Sequence, residues 1–167
     1  RPVAVYASGV NGDGITELPR AVLMAGYKDT SSSDAVYMLD WYAYGIGKVP
    51  TKVATTYQNI SDAWSLLIDQ KWHDRITAIK VSDGGLSYVE FFEYRKNKMS
   101  IPLFNIYCAT GSNREYYAER TDLIQLGQTT QAIYFAKLTN EGEQSELALT
   151  GDEIKARFSL VNQAWNN

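Results

Sequence analysis

The chain has 167 residues, 45% hydrophobic and 21% charged, with a formal net charge of -3. That length suits one domain spanning residues 1–167, able to bury about two-thirds of the surface its unfolded form exposes, and the composition excludes disorder. The slightly acidic balance excludes a long-range field that would gather polyanions, so no nucleic-acid partner is expected, and no apolar run reaches the length of a membrane span.

Taken in order, Pro2 to Ala7 is a short β-leaning run that stops at the glycine loop Ser8-Gly9-Val10-Asn11-Gly12-Asp13-Gly14. Thr16 then has the chemistry of an N-cap, with Leu18, Ala21, Val22 and Ala25 at helical spacing as far as Gly26. Between Asp34 and Tyr44, Val36, Leu39 and Ala43 fit a helix, but the density of Val, Tyr and Trp favours a strand, which is the reading adopted. Asn59 or Ser61 can cap a second helix bearing Trp64, Leu67, Ile68 and Trp72. A strand over Ile76–Val81 then ends at Ser82-Asp83-Gly84-Gly85.

From Leu86, the polar residues Ser87, Glu90, Glu93 and Lys96 stand three apart, which predicts a helix with a Ser87/Glu90 capping box. Ile101–Cys108 is the most strand-like run and leads into Ala109-Thr110-Gly111-Ser112-Asn113, after which a helix from Arg114 to about Leu126 is expected. Gln131–Leu138 and Ser145–Leu149 read as a hairpin around Asn140–Glu143. Thr150 and Glu153 box a last helix carrying Ile154, Phe158, Val161 and Trp165 on one stripe. Alternating strands and helices predict a three-layer α/β fold: a mostly parallel, doubly wound sheet of five or six strands with helices on both faces, Rossmann-like or flavodoxin-like. In such folds the strand-end loops share one rim where ligands bind.

One segment carries reaction chemistry. Cys108 to Arg114 reads Cys-x-x-Gly-x-x-Arg between a predicted strand and helix, so Gly111 would let the backbone curl round an anion, amide groups would lower the thiol pKa, and Arg114 would hold two anion oxygens. This loop resembles the phosphate-binding loop of the cysteine-dependent tyrosine and dual-specificity phosphatases, and equally the loops of rhodanese-type proteins. The resemblance implies a phosphorylated small-molecule or protein substrate, attack by Cys108 on phosphorus, and Asp83, or else Asp74, as the acid that protonates the leaving oxygen. It covers roughly a tenth of the chain. The phosphatases usually have His before the cysteine and Ser or Thr after the arginine, where Tyr107 and Glu115 stand here.

The plainer reading makes Cys108 a small buried hydrophobe and Ser112/Glu115 a helix cap. A non-catalytic alternative places a nucleotide or phosphate at the strand-end loops, through Ser8, Gly9, Asn11, Asp13, Gly84, Thr110, Gly111, Ser112 and Asn113. The glycines at 9, 12 and 14 do not reproduce a dinucleotide fingerprint. A third alternative is an exported interaction module whose protein partner meets the aromatic segment Tyr37, Trp41, Tyr42 and Tyr44. With His73 as the only histidine and Cys108 as the only cysteine, no metal, cofactor or intrachain disulfide is expected. A start at Arg1-Pro2 without Met reads as a processed product, compatible with cytoplasm or export.

Overall fold

The computed structural model describes residues 13, 15–31, 33–112 and 114–161. Among these residues ten strands run as β1 (Glu17–Leu23), β2 (Tyr37–Ala43), β3 (Thr51–Asn59), β4 (Trp64–Leu67), β5 (Ile76–Asp83), β6 (Leu86–Arg95), β7 (Lys98–Thr110), β8 (Ile124–Gln128), β9 (Ala132–Leu138) and β10 (Phe158–Leu160). The helices are short: α1 (Arg114–Ala118), α2 (Asn140–Glu143) and α3 (Gly151–Arg157). Among the described residues no helix is long and apolar enough to cross a membrane.

The strands form two five-stranded sheets, ordered β1-β2-β3-β4-β10 and β5-β6-β7-β9-β8, and every pairing is antiparallel. The parallel, doubly wound α/β sheet is therefore overturned, and with it the Rossmann-like and flavodoxin-like assignment. The expected crossover helices are strands or turns: 17–23 is β1, 86–95 is β6, and the segment after Asn59 is a turn, β4 and the 3-10 turn Gln70–Trp72. Only five residues of the helix expected after Arg114 are helical, and Ser145–Leu149 is not a strand. The strands expected over 34–44, 76–81, 101–108 and 131–138 are present as parts of β2, β5, β7 and β9. The strand expected over Pro2–Ala7, the first glycine loop except Asp13, and Trp165 lie outside the described residues.

Packing explains the misread helix at 86–96. Val89 and Phe91 of β6 point into the core, with Phe104 and Ile106 of β7 opposite, so the working period is two. Glu93, which reads as solvent-facing, also points inward and is wholly buried at a register shift. Its carboxylate accepts from Ser145 Oγ at 2.8 Å and pairs with the Arg95 guanidinium, so the buried charge is compensated. Lys96 and Asn97 both have positive φ between Arg95 and Lys98, the geometry of a tight two-residue hairpin turn. The Asp83–Leu86 hairpin likewise turns on Gly84 and Gly85.

The core lies between the sheets. Tyr57 meets Phe91 edge to face at 5.4 Å, and Phe158 of β10 stacks on Trp64 and meets Tyr134 of β9 at 5.7 Å. Polar ties cross the same gap: Tyr27 Oη donates to the Ala78 carbonyl at 2.6 Å, and Tyr134 Oη to the Asp62 carbonyl at 2.7 Å. The predicted Thr150/Glu153 capping box is present and starts α3, whose Ile154 is buried in the core and which hands the chain from the second sheet to β10 in the first. On the outer face of the second sheet Tyr88, Tyr107, Phe135 and Tyr117 stack in series, which holds α1 against that face.

Phe91 touches both Tyr57 and Phe104 at the centre of the sandwich. Phe91→Ala is expected to cost about 3–5 kcal/mol in chemical denaturation, whereas the same change at Tyr116, which is exposed, is expected to cost under about 0.5 kcal/mol.

Candidate functional site

Strand register decides the fate of the predicted cysteine site. Ser82, Ser87, Cys108 and Tyr134 form one cross-strand row, and Cys108 and Tyr134 belong to the core between the sheets. The neighbouring row, Asp83, Leu86, Ala109 and Ile133, faces the opposite way, with Ala109 and Ile133 in a second apolar cluster under α1. Arg114 opens α1 on that outer face, and its Nη1 donates to the Gly111 carbonyl at 3.2 Å. The second sheet therefore separates the Cys108 sulfur from both Arg114 and Asp83. Five residues of helix also provide no anion-binding N-terminus.

The sulfur has other neighbours. The Tyr134 and Ser87 hydroxyls lie beside it, each donating its proton to Asp62: Tyr134 Oη to the backbone carbonyl at 2.7 Å and Ser87 Oγ to Oδ2 at 2.8 Å. Burial first, then the Asp62 charge, pushes the thiol up to about 11, the reverse of what a nucleophile needs. Asn59 Nδ2 also donates to Asp62 Oδ2, at 2.8 Å, and the Asn59 side-chain oxygen accepts from Ser61 Oγ at 2.9 Å and from Lys80 Nζ at 3.3 Å. These bonds stitch the β3–β4 turn of one sheet to β5 and β6 of the other.

Two of the expected glycine loops do meet. Thr110 donates its backbone N–H to the Gly85 carbonyl at 2.9 Å, since β6 and β7 are antiparallel neighbours, and this brings the two turns to the same end of the sheet. Ser112 is exposed beside them; Asp13, also exposed, uses its Oδ1 to accept from the Ile15 N–H at 2.8 Å. Ser8, Gly9, Asn11 and Asn113 lie outside the described residues. The aromatic segment is divided by the strand: Trp41 is buried with its Nε1 donating to Thr56 Oγ1 at 2.8 Å, Tyr42 points to the other face, and Tyr37 and Tyr44 are exposed.

A cleft among the described residues lies elsewhere, on the first sheet. Its volume is about 750 Å³, and it is lined by Val22, Met38, Leu67 and Ile68 on its apolar side and by Asp40, Lys52, Thr55, Asp69, Gln70, His73, Asp74 and Arg157 on its polar side. Alternation puts Asp40 and Thr55 on the face that carries Met38 and Tyr57 into the core. Each carboxylate in its wall already has a partner. Asp40 takes Lys52 Nζ at 2.7 Å and Thr55 Oγ1 at 2.6 Å; Asp69 takes Arg157 Nη2 at 2.6 Å; Asp74 lies 3.1 Å from His73 Nδ1.

Sequence reasoning missed this site because its residues come from five separate stretches. The available signal was Asp40, a lone acid inside an aromatic strand, with Lys52 on the next strand; an antiparallel hairpin brings the two together. No group of His, Cys, Asp and Glu among the described residues could hold a metal ion. No family model, no curated protein and no solved structure matches the chain.

The raised thiol pKa gives a direct check. A shift from 9.0 to about 11 leaves about 100-fold less thiolate at pH 8, so iodoacetamide should label Cys108 at least that much more slowly in the native protein than in urea. The neutral thiol is the form the fold favours, so this contribution to stability is complete below pH 9 and declines as the pH rises towards 11. Cys108→Ala should flatten that alkaline decline. Fast native labelling would contradict the inward placement.

Proposed function

We propose that the protein is a non-catalytic ligand-binding β-sandwich whose cleft on the first sheet takes a small neutral molecule of the saccharide class. The observation that carries this reading is the charge pairing in the cleft wall, where Asp40 is matched by Lys52 and Asp69 by Arg157. A ligand entering such a wall need bring no charge of its own, and a charged one would break a pair and leave a partner uncompensated. Thr55, Gln70, Lys52 and Arg157 offer hydrogen bonds to hydroxyl groups, while Val22, Met38 and Leu67 offer a surface for the apolar face of a sugar ring.

The phosphatase-like reading draws no support from the positions of Cys108, Arg114 and Asp83 on the two faces of one sheet. Reading the protein as a binding module keeps the non-catalytic alternative of the sequence and moves its site from the strand-end loops to the cleft.

Isothermal titration and amide chemical-shift mapping against neutral di- and trisaccharides, sugar phosphates and uronic acids test the proposal. Neutral sugars should bind best and shift amides of residues 52–55 and 67–74. Gln70→Ala should weaken binding about 3- to 10-fold through loss of one hydrogen-bonding group. Preferential binding of the sugar phosphates, or shifts confined to Gly84 and Thr110–Ser112, would sink the assignment.

A further inference from the structure

The segment between β2 and β3, Tyr44 to Pro50, is a projecting hairpin tip with an unusual surface. Ile46 is fully exposed, Val49 is 84% exposed and Tyr44 is 54% exposed, so three large apolar or amphipathic side chains stand in solvent within six residues. Gly47 turns the tip at a φ of 69°, and the Lys48 N–H closes it on the Gly45 carbonyl at 3.1 Å. Exposure of this kind is costly in water and marks a docking surface. Ile15 and Leu18, at the start of the neighbouring edge strand, are about half exposed as well.

Charge and shape say what covers it. The chain is acidic overall, yet no acidic residue occurs from Trp41 to Ser61, while Lys48 sits within the tip and Lys52 at its base. Lys52 is paired with Asp40, so Lys48 is the cation at the tip, and a convex apolar point with a lysine beside it and no nearby acid fits a layer of anionic headgroups over hydrocarbon: the aliphatic side chains enter, a tyrosine rests at the boundary, and the lysine stays at the headgroup level. Two convex tips, by contrast, offer no groove to each other. We propose that the β2–β3 hairpin docks this protein on the surface of an anionic lipid bilayer, with Ile46 and Val49 inserted and Lys48 at the phosphate level. Lys52 and Val53 at the base of the same hairpin also line the cleft, so docking holds the cleft beside the lipid surface.

The test is co-sedimentation of the full chain with large unilamellar vesicles of phosphatidylcholine alone and of phosphatidylcholine with 30 mol% phosphatidylserine, together with sedimentation velocity of the protein without lipid. Binding should favour the anionic vesicles and weaken with salt. Ile46→Asp with Val49→Asp should lower it at least 10-fold, and Lys48→Glu by about 5-fold or more. Ile46→Trp should retain binding and show a blue-shifted emission quenched by brominated acyl chains. These sites are exposed, so an unchanged melting temperature verifies the fold of each variant. Absence of wild-type binding to either vesicle, or binding that the double aspartate variant keeps, overturns the proposal. So does self-association that the double variant abolishes in a protein that ignores lipid, which would assign the tip to a second copy of the chain.

Discussion

The molecule depends on one burial event: two antiparallel sheets close face to face over an aromatic layer in which Tyr57 meets Phe91 and Phe158 lies between Trp64 and Tyr134. Closing that layer removes apolar surface from water at roughly 25 cal/mol per Å² and fixes which residue of every pair points inward. A slip of one residue in β6 would send Val89 and Phe91 to solvent, so the register is not negotiable. Everything said about chemistry follows from that alternation.

Its first consequence concerns the cysteine. In a parallel α/β sheet, the loop after a strand delivers a thiol and the following arginine to one rim. In an antiparallel sandwich, neighbouring positions of β7 face opposite sides. Cys108 therefore joins Tyr134 and Ser87 against Asp62 in the interior, and Arg114 belongs to the outer surface. Its second consequence concerns open space. The inward-facing positions Asp40 and Thr55 line the cleft, to which α3 contributes Arg157.

Strands whose pattern is dominated by β-branched and aromatic residues, β2, β5, β7 and β9, were legible in the sequence, as was the cap that starts α3. Illegible were the strands whose inward row contains polar groups. Ser87 and Glu93 both point to the core side of β6, made tolerable by Asp62 and by Ser145 and Arg95, and this long-range compensation imitates a helical polar stripe. Gly84-Gly85 and Lys96-Asn97 are hairpin turns, while locally Gly84-Gly85 resembles a strand-end loop and Lys96 the last member of a helical polar stripe. That substitution of local meanings turned a meander into an alternating α/β chain. The cleft was illegible for a different reason: its charge pairs join residues 12 and 88 positions apart, distances that only the fold closes.

The most direct measurement is a nuclear Overhauser spectrum of the native protein. The sandwich predicts Hα–Hα cross-peaks between facing residues of β6 and β7, ring-to-ring peaks between Tyr57 and Phe91, and peaks from Cys108 Hβ to the Tyr134 ring. A continuous ladder of sequential amide–amide peaks over residues 86–96, with Tyr57 silent towards Phe91, would show a helix where the account requires a strand and would contradict it.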